Sequence, residues 1–226
     1  MGLPSVLVFD VNETLLDFDS MAALFAAIFG DRRVLREWMG QLFMYSMTTT
    51  LSRNYVDYLT LGQGVLQMLA AIHGASVTDE DLQRLRDGML AMPAYLDVDD
   101  GLSTLRRNGF RLVTLTNSPP NPDGPSPVEH AGLGSFFEQQ FSVDSCRVYK
   151  PASRVYHYVA QQLDVAPGEC MMVAAHVWDT VGAQSAGFSS ALIARPGNAL
   201  LPVHGLPQPT VVAADLNQFA HQLSNT

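Results

Sequence analysis

The stretch Val6-Leu7-Val8-Phe9-Asp10 limits the fold more than any other in this chain. Four apolar residues, three of them β-branched or aromatic, run straight into a carboxylate and then into the polar turn Asn12-Glu13-Thr14. A run of this kind reads as a buried strand that delivers Asp10 to its own carboxyl edge. In an open α/β sheet, ligands bind in the crevice beyond those edges. Asp10 therefore stands where chemistry is expected, and the rest of the chain can be read as its support.

Past Asp17 the spacing becomes helical. Met21, Leu24, Phe25 and Ile28 predict a helix that stops at Gly30, and a second starts near Arg32, with apolar residues on nearly all sides from Val34 to Leu51. Further helical segments cover residues 55–72 and 79–90, and no strand pattern intervenes, so 17–94 reads as an all-helical insertion. From about Tyr95 strands and helices alternate. Strands are expected at 110–115, 141–143, 170–173 and 190–194, with helices over 100–108, 128–131 and 153–163, from Asp179 to Gly187, and from Asp215 onward. Five prolines between Pro119 and Pro127 mark an irregular loop. The alternation predicts an α/β fold with a doubly wound, Rossmann-like parallel sheet. Its core domain takes residues 1–16 and 95–226, and the helical domain takes 17–94.

With 226 residues, 47% of them hydrophobic, the chain has enough apolar content for such a core and its insertion. The net charge of −9 and the absence of basic clusters beyond pairs such as Arg32-Arg33 and Arg106-Arg107 argue against nucleic acid and anionic membranes as partners. No apolar run reaches the roughly 18 residues a membrane span needs, and the N-terminus lacks a secretion pattern, so a cytoplasmic location is expected. Two cysteines without CxxC spacing agree with a reducing compartment. The apolar helices of the insertion allow a homodimer. Of 13 basic residues, only Lys150 is a lysine. A position that keeps an ammonium in a chain otherwise using arginine calls for a compact point charge.

Polar groups gather at the strand ends: Asp10 and Thr14 after the first, Thr116 and Asn117 after the second, Lys150 in the loop beyond the third, His176 and Asp179 after the fourth. The order D-x-x-x-T, then T-N, then K-P followed by R-V-Y, then W-D resembles the haloacid dehalogenase superfamily. Within it the chain is most similar to the type II 2-haloacid dehalogenases, and the helical insertion corresponds to their cap. The resemblance implies that Asp10 is the nucleophile and that Thr14 is a hydrogen-bonding partner of its loop. It makes Thr116 and Asn117 the substrate-carboxylate and oxyanion site, with Val11 and Asn12 beside them, and Tyr156 a wall of the site. Lys150 would keep Asp10 ionised, and Asp179 would pair with Lys150 and help position the hydrolytic water. The substrate is then a small anionic 2-substituted carboxylate. A carboxylate can displace a leaving group from carbon, and water can cleave the resulting ester.

Two positions separate this reading from the phosphatases of similar fold. Those carry an acid/base Asp two residues after the nucleophile, where this chain has Asn12, and a further metal-binding carboxylate at the position of Ala175. No metal and no cofactor are therefore expected. Dehalogenases of this type also place a halide-receiving arginine where this chain has Met39, and no charged residue replaces it. Gln41, Tyr45, Trp38, Trp178 and His176 are left as neutral donors to a departing group. Met39 also suits cleavage of a C–N bond, as in the azetidine-2-carboxylate hydrolases that resemble the same family. Glu13 is a carboxylate that could substitute as acid or ligand, but its position adjacent to Asn12 is expected to aim it elsewhere.

Overall fold

The computed structural model describes residues 4–225; the first three residues and residue 226 of the expected core lie outside the described residues. Six strands form one sheet in which every pair is parallel: β1 (Val6–Phe9), β2 (Arg111–Thr116), β3 (Gln139–Ser142), β4 (Cys170–Ala174), β5 (Ser189–Ile193) and β6 (Val211–Ala213). Their order is β3-β2-β1-β4-β5-β6. β1 lies at the centre, and its four side chains are wholly buried, which is why it reads as an unbroken apolar run. Phe9 is level with Thr114 on one side and Val173 on the other, and the Asp10 N–H continues the ladder to the Val173 carbonyl at 3.0 Å. The connections reverse direction between β1 and β4, so Asp10 and the start of the segment after β4 face the crevice of the topological switch point.

Helix α5 (Val98–Arg107) leads into β2, α6 (Pro127–His130), α7 (Ser153–Gln162) and α8 (Val177–Ser185) separate the strands from β2 to β5, and α9 (Leu216–Ser224) follows β6, which β5 reaches without a helix between. α5 and α9 cross closely at Gly101, where a β-carbon would lie 2.7 Å from Leu216 Cβ.

Between β1 and α5 stand only helices: α1 (Ala22–Phe29), α2 (Val34–Leu51), α3 (Tyr58–His73) and α4 (Asp79–Leu90), preceded by a short 3-10 turn. Gly30 ends α1 in the left-handed region, φ 73°. Asp57 caps α3 by accepting from the Leu59 and Thr60 N–H groups, so the helix begins after Tyr55. Trp38, fully buried, ties α2 to α3 by donating its indole N–H to the Gly62 carbonyl at 2.9 Å, and packs on Phe18 and Phe25. The chain enters and leaves this helical block side by side. The Asp17 N–H donates to Pro93 O at 2.7 Å and the Tyr95 N–H to Leu15 O at 3.0 Å.

β6 is absent from the sequence-based expectation. Its three residues are too few to show a period, and pairing with β5 makes them a strand. β3 starts earlier than expected because Gln139 and Gln140 are exposed and polar. Among the described residues no helix is long and apolar enough to cross a membrane, and Cys146 and Cys170 are buried and unpaired.

Candidate active site

Lys150 joins the strand ends. Its Nζ donates to Asp10 Oδ1 at 2.8 Å, to Asp179 Oδ2 at 2.6 Å and to the Leu115 carbonyl at 2.9 Å, and its side chain is completely buried. Three acceptors thus meet the three donors of an ammonium, a match that a planar guanidinium does not make. The backbone is held too, because the Lys150 N–H donates to Asn117 Oδ1 at 3.2 Å. Tyr156, from α7, donates its hydroxyl to Asp179 Oδ1 at 2.6 Å, so both carboxylate oxygens of Asp179 are engaged. Thr14 donates to Asp10 Oδ2 at 2.7 Å and accepts from the Ala175 N–H at 2.9 Å, which links the nucleophile loop to the end of β4. Arg195 adds a support that the sequence gives no reason to single out. Its Nε and Nη2 both donate to the Thr14 carbonyl, and its Nη1 pairs with Asp97.

These contacts order the ionisations. Burial alone raises the Asp10 pKa, yet the Lys150 ammonium and His176 hold it well below the usual carboxylate range. Asp179 moves upward, through burial and the negative charge of Asp10, which outweigh its contact with Lys150. Burial opposes the charge on Lys150, but the two carboxylates raise its pKa. Of the two, Asp10 is thus the carboxylate held more firmly in its ionised form.

Glu13 does not aim elsewhere, as the sequence suggests; it is fully buried inside the site. Its backbone takes the left-handed region, φ 64°. That turn brings its carboxylate to His176 Nε2 at 2.7 Å and to the Arg36 guanidinium of α2. Arg36 also pairs with Asp19 at 2.9 Å. A cap arginine does reach the nucleophile loop, one helical turn before Met39, with its charge committed to two carboxylates; Met39 itself is buried. The signal for it was the spacing, since residues three apart share a helix face.

His176 is held between carboxylates. Its Nδ1 stands 3.5 Å from Asp10 Oδ2, an ion-pair distance, and has no hydrogen-bond partner among the described residues. Burial lowers its pKa, but the contacts with Asp10 and Glu13 push it up to about 9. Its ring stacks on Trp178, with centroids 5.2 Å apart, and Phe43 of α2 closes over both at 5.0 Å. Phe43 was hidden in the apolar stripe of α2. Trp178 Nε1 is also buried without a hydrogen-bond partner among the described residues.

The remaining expected residues lie less directly on Asp10. The Thr116 hydroxyl accepts from the Ser118 N–H at 3.1 Å. Thr116 also lines, with Val11, Ser118 and Phe137, a neighbouring cleft of about 460 Å³ whose lining includes neither Asp10 nor Lys150. Asn12 Nδ2 donates to Ser118 Oγ at 3.4 Å. Gln41 and Tyr45 are half-buried on α2, and among the described residues no hydrogen bond ties either to the Asp10 cluster.

Comparison with known proteins identifies the family and the fold. The family of haloacid dehalogenase-like hydrolases matches residues 4–187. The chain is 31% identical over 191 residues to (S)-2-haloacid dehalogenase 1 of Pseudomonas sp. (strain CBS-3), covering 83% of each chain. It is 29% identical over 194 residues to (S)-2-haloacid dehalogenase of Pseudomonas sp. (strain YL), covering 85% of this chain and 83% of the relative. Its fold is that of L-2-haloacid dehalogenase from Xanthobacter autotrophicus, solved with chloropropionic acid covalently bound: TM-score 0.88, 23% identity, 99% of this chain and 100% of that one.

Proposed function

The chain belongs to the haloacid dehalogenase-like hydrolases, and from that premise we propose that it hydrolyses the carbon–halide bond of small 2-haloacids through an ester on Asp10. The observation that carries this reading is the buried Lys150 bridge, which keeps one carboxylate ionised at the switch point. Asp10 Oδ2, on the side away from Lys150, attacks the α-carbon, and the halide departs with the electron pair of the broken bond. Water then adds to Asp10 Cγ and releases the 2-hydroxy acid. Asn117, with Thr116, Val11 and Asn12, would receive the substrate carboxylate; Phe43 and Trp178 shape the wall, and residues 17–94 act as the cap over the 1–16 and 95–226 core. Asn12 and Ala175 supply no carboxylate for a metal, and we infer that no cofactor takes part.

The test is halide release from (S)-2-chloropropionate, bromoacetate and fluoroacetate with and without EDTA. Activity abolished by EDTA would sink the metal-free ester mechanism. A second reading, hydrolysis of a C–N bond α to a carboxylate, is favoured by one observation, the apolar Met39 in place of a halide-receiving cation. Release of amine but no halide from matched substrates selects it. The two unpaired cysteines support a cytoplasmic location, and the exposed Met44 and Leu51 of α2 with Ile72 of α3 support a homodimer, which sedimentation checks.

A further inference from the structure

We propose that His176, oriented by Glu13, is the general base that drives water onto the Asp10 ester and then the acid that releases the product. The proposal rests on the ester reading above and adds a role for a pair that the dehalogenase resemblance does not supply.

The geometry points to His176 for three reasons. Its Nε2 is fixed by Glu13 Oε2 at 2.7 Å, which leaves Nδ1 as the atom that faces Asp10 Oδ2 at 3.5 Å. That Nδ1 is buried and has no hydrogen-bond partner among the described residues. Asp179, the other candidate, has both oxygens engaged, by Tyr156 and by Lys150, and is wholly buried. A buried imidazole with one nitrogen held by a carboxylate and the other aimed at the reacting group is the arrangement that base catalysis requires.

The charges around His176 give the sequence of events. It is faced by Asp10 and Glu13 from the nucleophile loop and by Arg36 from α2 through Glu13. Lys150 lies beneath Trp178, its Nζ 5.7 Å from the ring centroid, and Tyr58 of α3 also senses Asp10 and Glu13. In the free enzyme the anionic Asp10 helps keep His176 protonated, and the imidazolium adds positive charge for an anionic substrate. Alkylation of Oδ2 converts Asp10 to a neutral ester. That support is lost, and the Nδ1 proton can leave for solvent before water attacks.

In the second step the water oxygen bonds to Asp10 Cγ while one water proton passes to His176 Nδ1. The carbonyl pair moves onto Oδ1, beside the Lys150 ammonium. As the intermediate collapses, the Cγ–Oδ2 bond breaks and His176 returns its proton to Oδ2, which leaves as the hydroxyl of the product. Asp10 then loses the second water proton and regains its carboxylate. Glu13 keeps the ring in the required tautomer throughout and is a positioning residue.

The test uses the full chain with (S)-2-chloropropionate under rapid mixing, with the wild type, His176→Asn and Glu13→Gln followed in parallel. In His176→Asn, a burst of about one halide per site is expected, followed by turnover slower on the order of 10²-fold or more. Intact-protein mass spectrometry should then find the ester accumulated on Asp10. The burst itself counts folded sites. Wild-type ester hydrolysis should lose rate at acid pH, and Glu13→Gln should move that acid limb to lower pH, because the carboxylate that favours the protonated ring is gone. Wild-type-like turnover without ester accumulation in His176→Asn overturns the role. So does a lost burst, which would place His176 in the first step or in folding, or an acid limb unmoved by Glu13→Gln. Wild-type protein that releases no halide overturns the dehalogenase reading, and this role with it.

Discussion

Gly182 lies against the Tyr156 hydroxyl: a β-carbon added at residue 182 would stand 2.8 Å from that oxygen and 2.4 Å from Pro151 Cβ. The same hydroxyl holds Asp179 Oδ1. The small residue in α8 is therefore what lets α7 approach and what keeps Asp179 fixed beside Lys150. Gly182→Ala should cost about 1–3 kcal/mol, as overpacking of a close contact does. It should also lower kcat, because Tyr156 must move off Asp179. Urea denaturation read alongside halide release checks both; unchanged values for the two would show that the contact relaxes freely.

Asp10→Asn removes the attacking carboxylate and should cut turnover on the order of 10⁴-fold, the scale seen when a member of a catalytic unit is deleted. A single turnover of the wild type in heavy-oxygen water should put the label into Asp10. Label found only in the released hydroxy acid would instead mean that water attacks the substrate directly.

Lys150→Met leaves Asp10 and Asp179 buried without their shared cation. Removing one partner of a buried ion pair typically costs about 3–5 kcal/mol, so this variant should be both inactive and markedly less stable. The loss should shrink as pH falls toward the acid range, where one of the two carboxylates can take up a proton. Thermal denaturation at neutral and mildly acidic pH tests this. A variant as stable as the wild type would show that the bridge is not what holds the strand ends together.

His176 gives the fold a pH dependence of its own. Its pKa rises from 6.5 to about 9 in the folded chain, so the folded state binds this proton more tightly than the unfolded one. The resulting stabilisation is complete below pH 6.5 and is lost as pH rises through 9. It amounts to roughly 3 kcal/mol as an upper bound. His176→Asn should flatten the stability curve across that window. Denaturation midpoints from pH 6 to pH 10 measure it, and parallel curves for the two proteins would exclude the effect.

Much of this molecule could be read from residue order. The apolar run of β1, the helical spacing of 17–94 and the strand-end polar groups each leave a local pattern, and Lys150 stood out as the one lysine. What escaped is what depends on folding in three dimensions. β6 gains its identity only by pairing with β5. Glu13 looked misdirected because the left-handed turn that swings it inward is uncommon for a residue with a side chain. Arg36 carries no local mark of a site residue, standing in α2 with no motif around it. Its partner lies 23 residues away, in a different part of the fold. Thr116 is expected, with Asn117, at the substrate carboxylate; the alternation of side chains along β2 sets it with Thr114 on the lining of the neighbouring cleft, a placement that residue order alone does not display.

The paired hydrogen bonds at Asp17–Pro93 and Leu15–Tyr95 have an evolutionary consequence. Because the helical block departs and returns at one clasp, its covalent ties to the sheet are two adjacent crossings, and its other ties to the core are side-chain contacts such as Arg36 on Glu13 and Tyr55 on Asp144. The entropy of closing the intervening chain grows only with the logarithm of its length. Parts of the block away from α2 can therefore lengthen or shorten at little entropic cost, while α2, which carries Arg36 and Phe43 onto the site, is the helix whose exchange would reach the nucleophile loop.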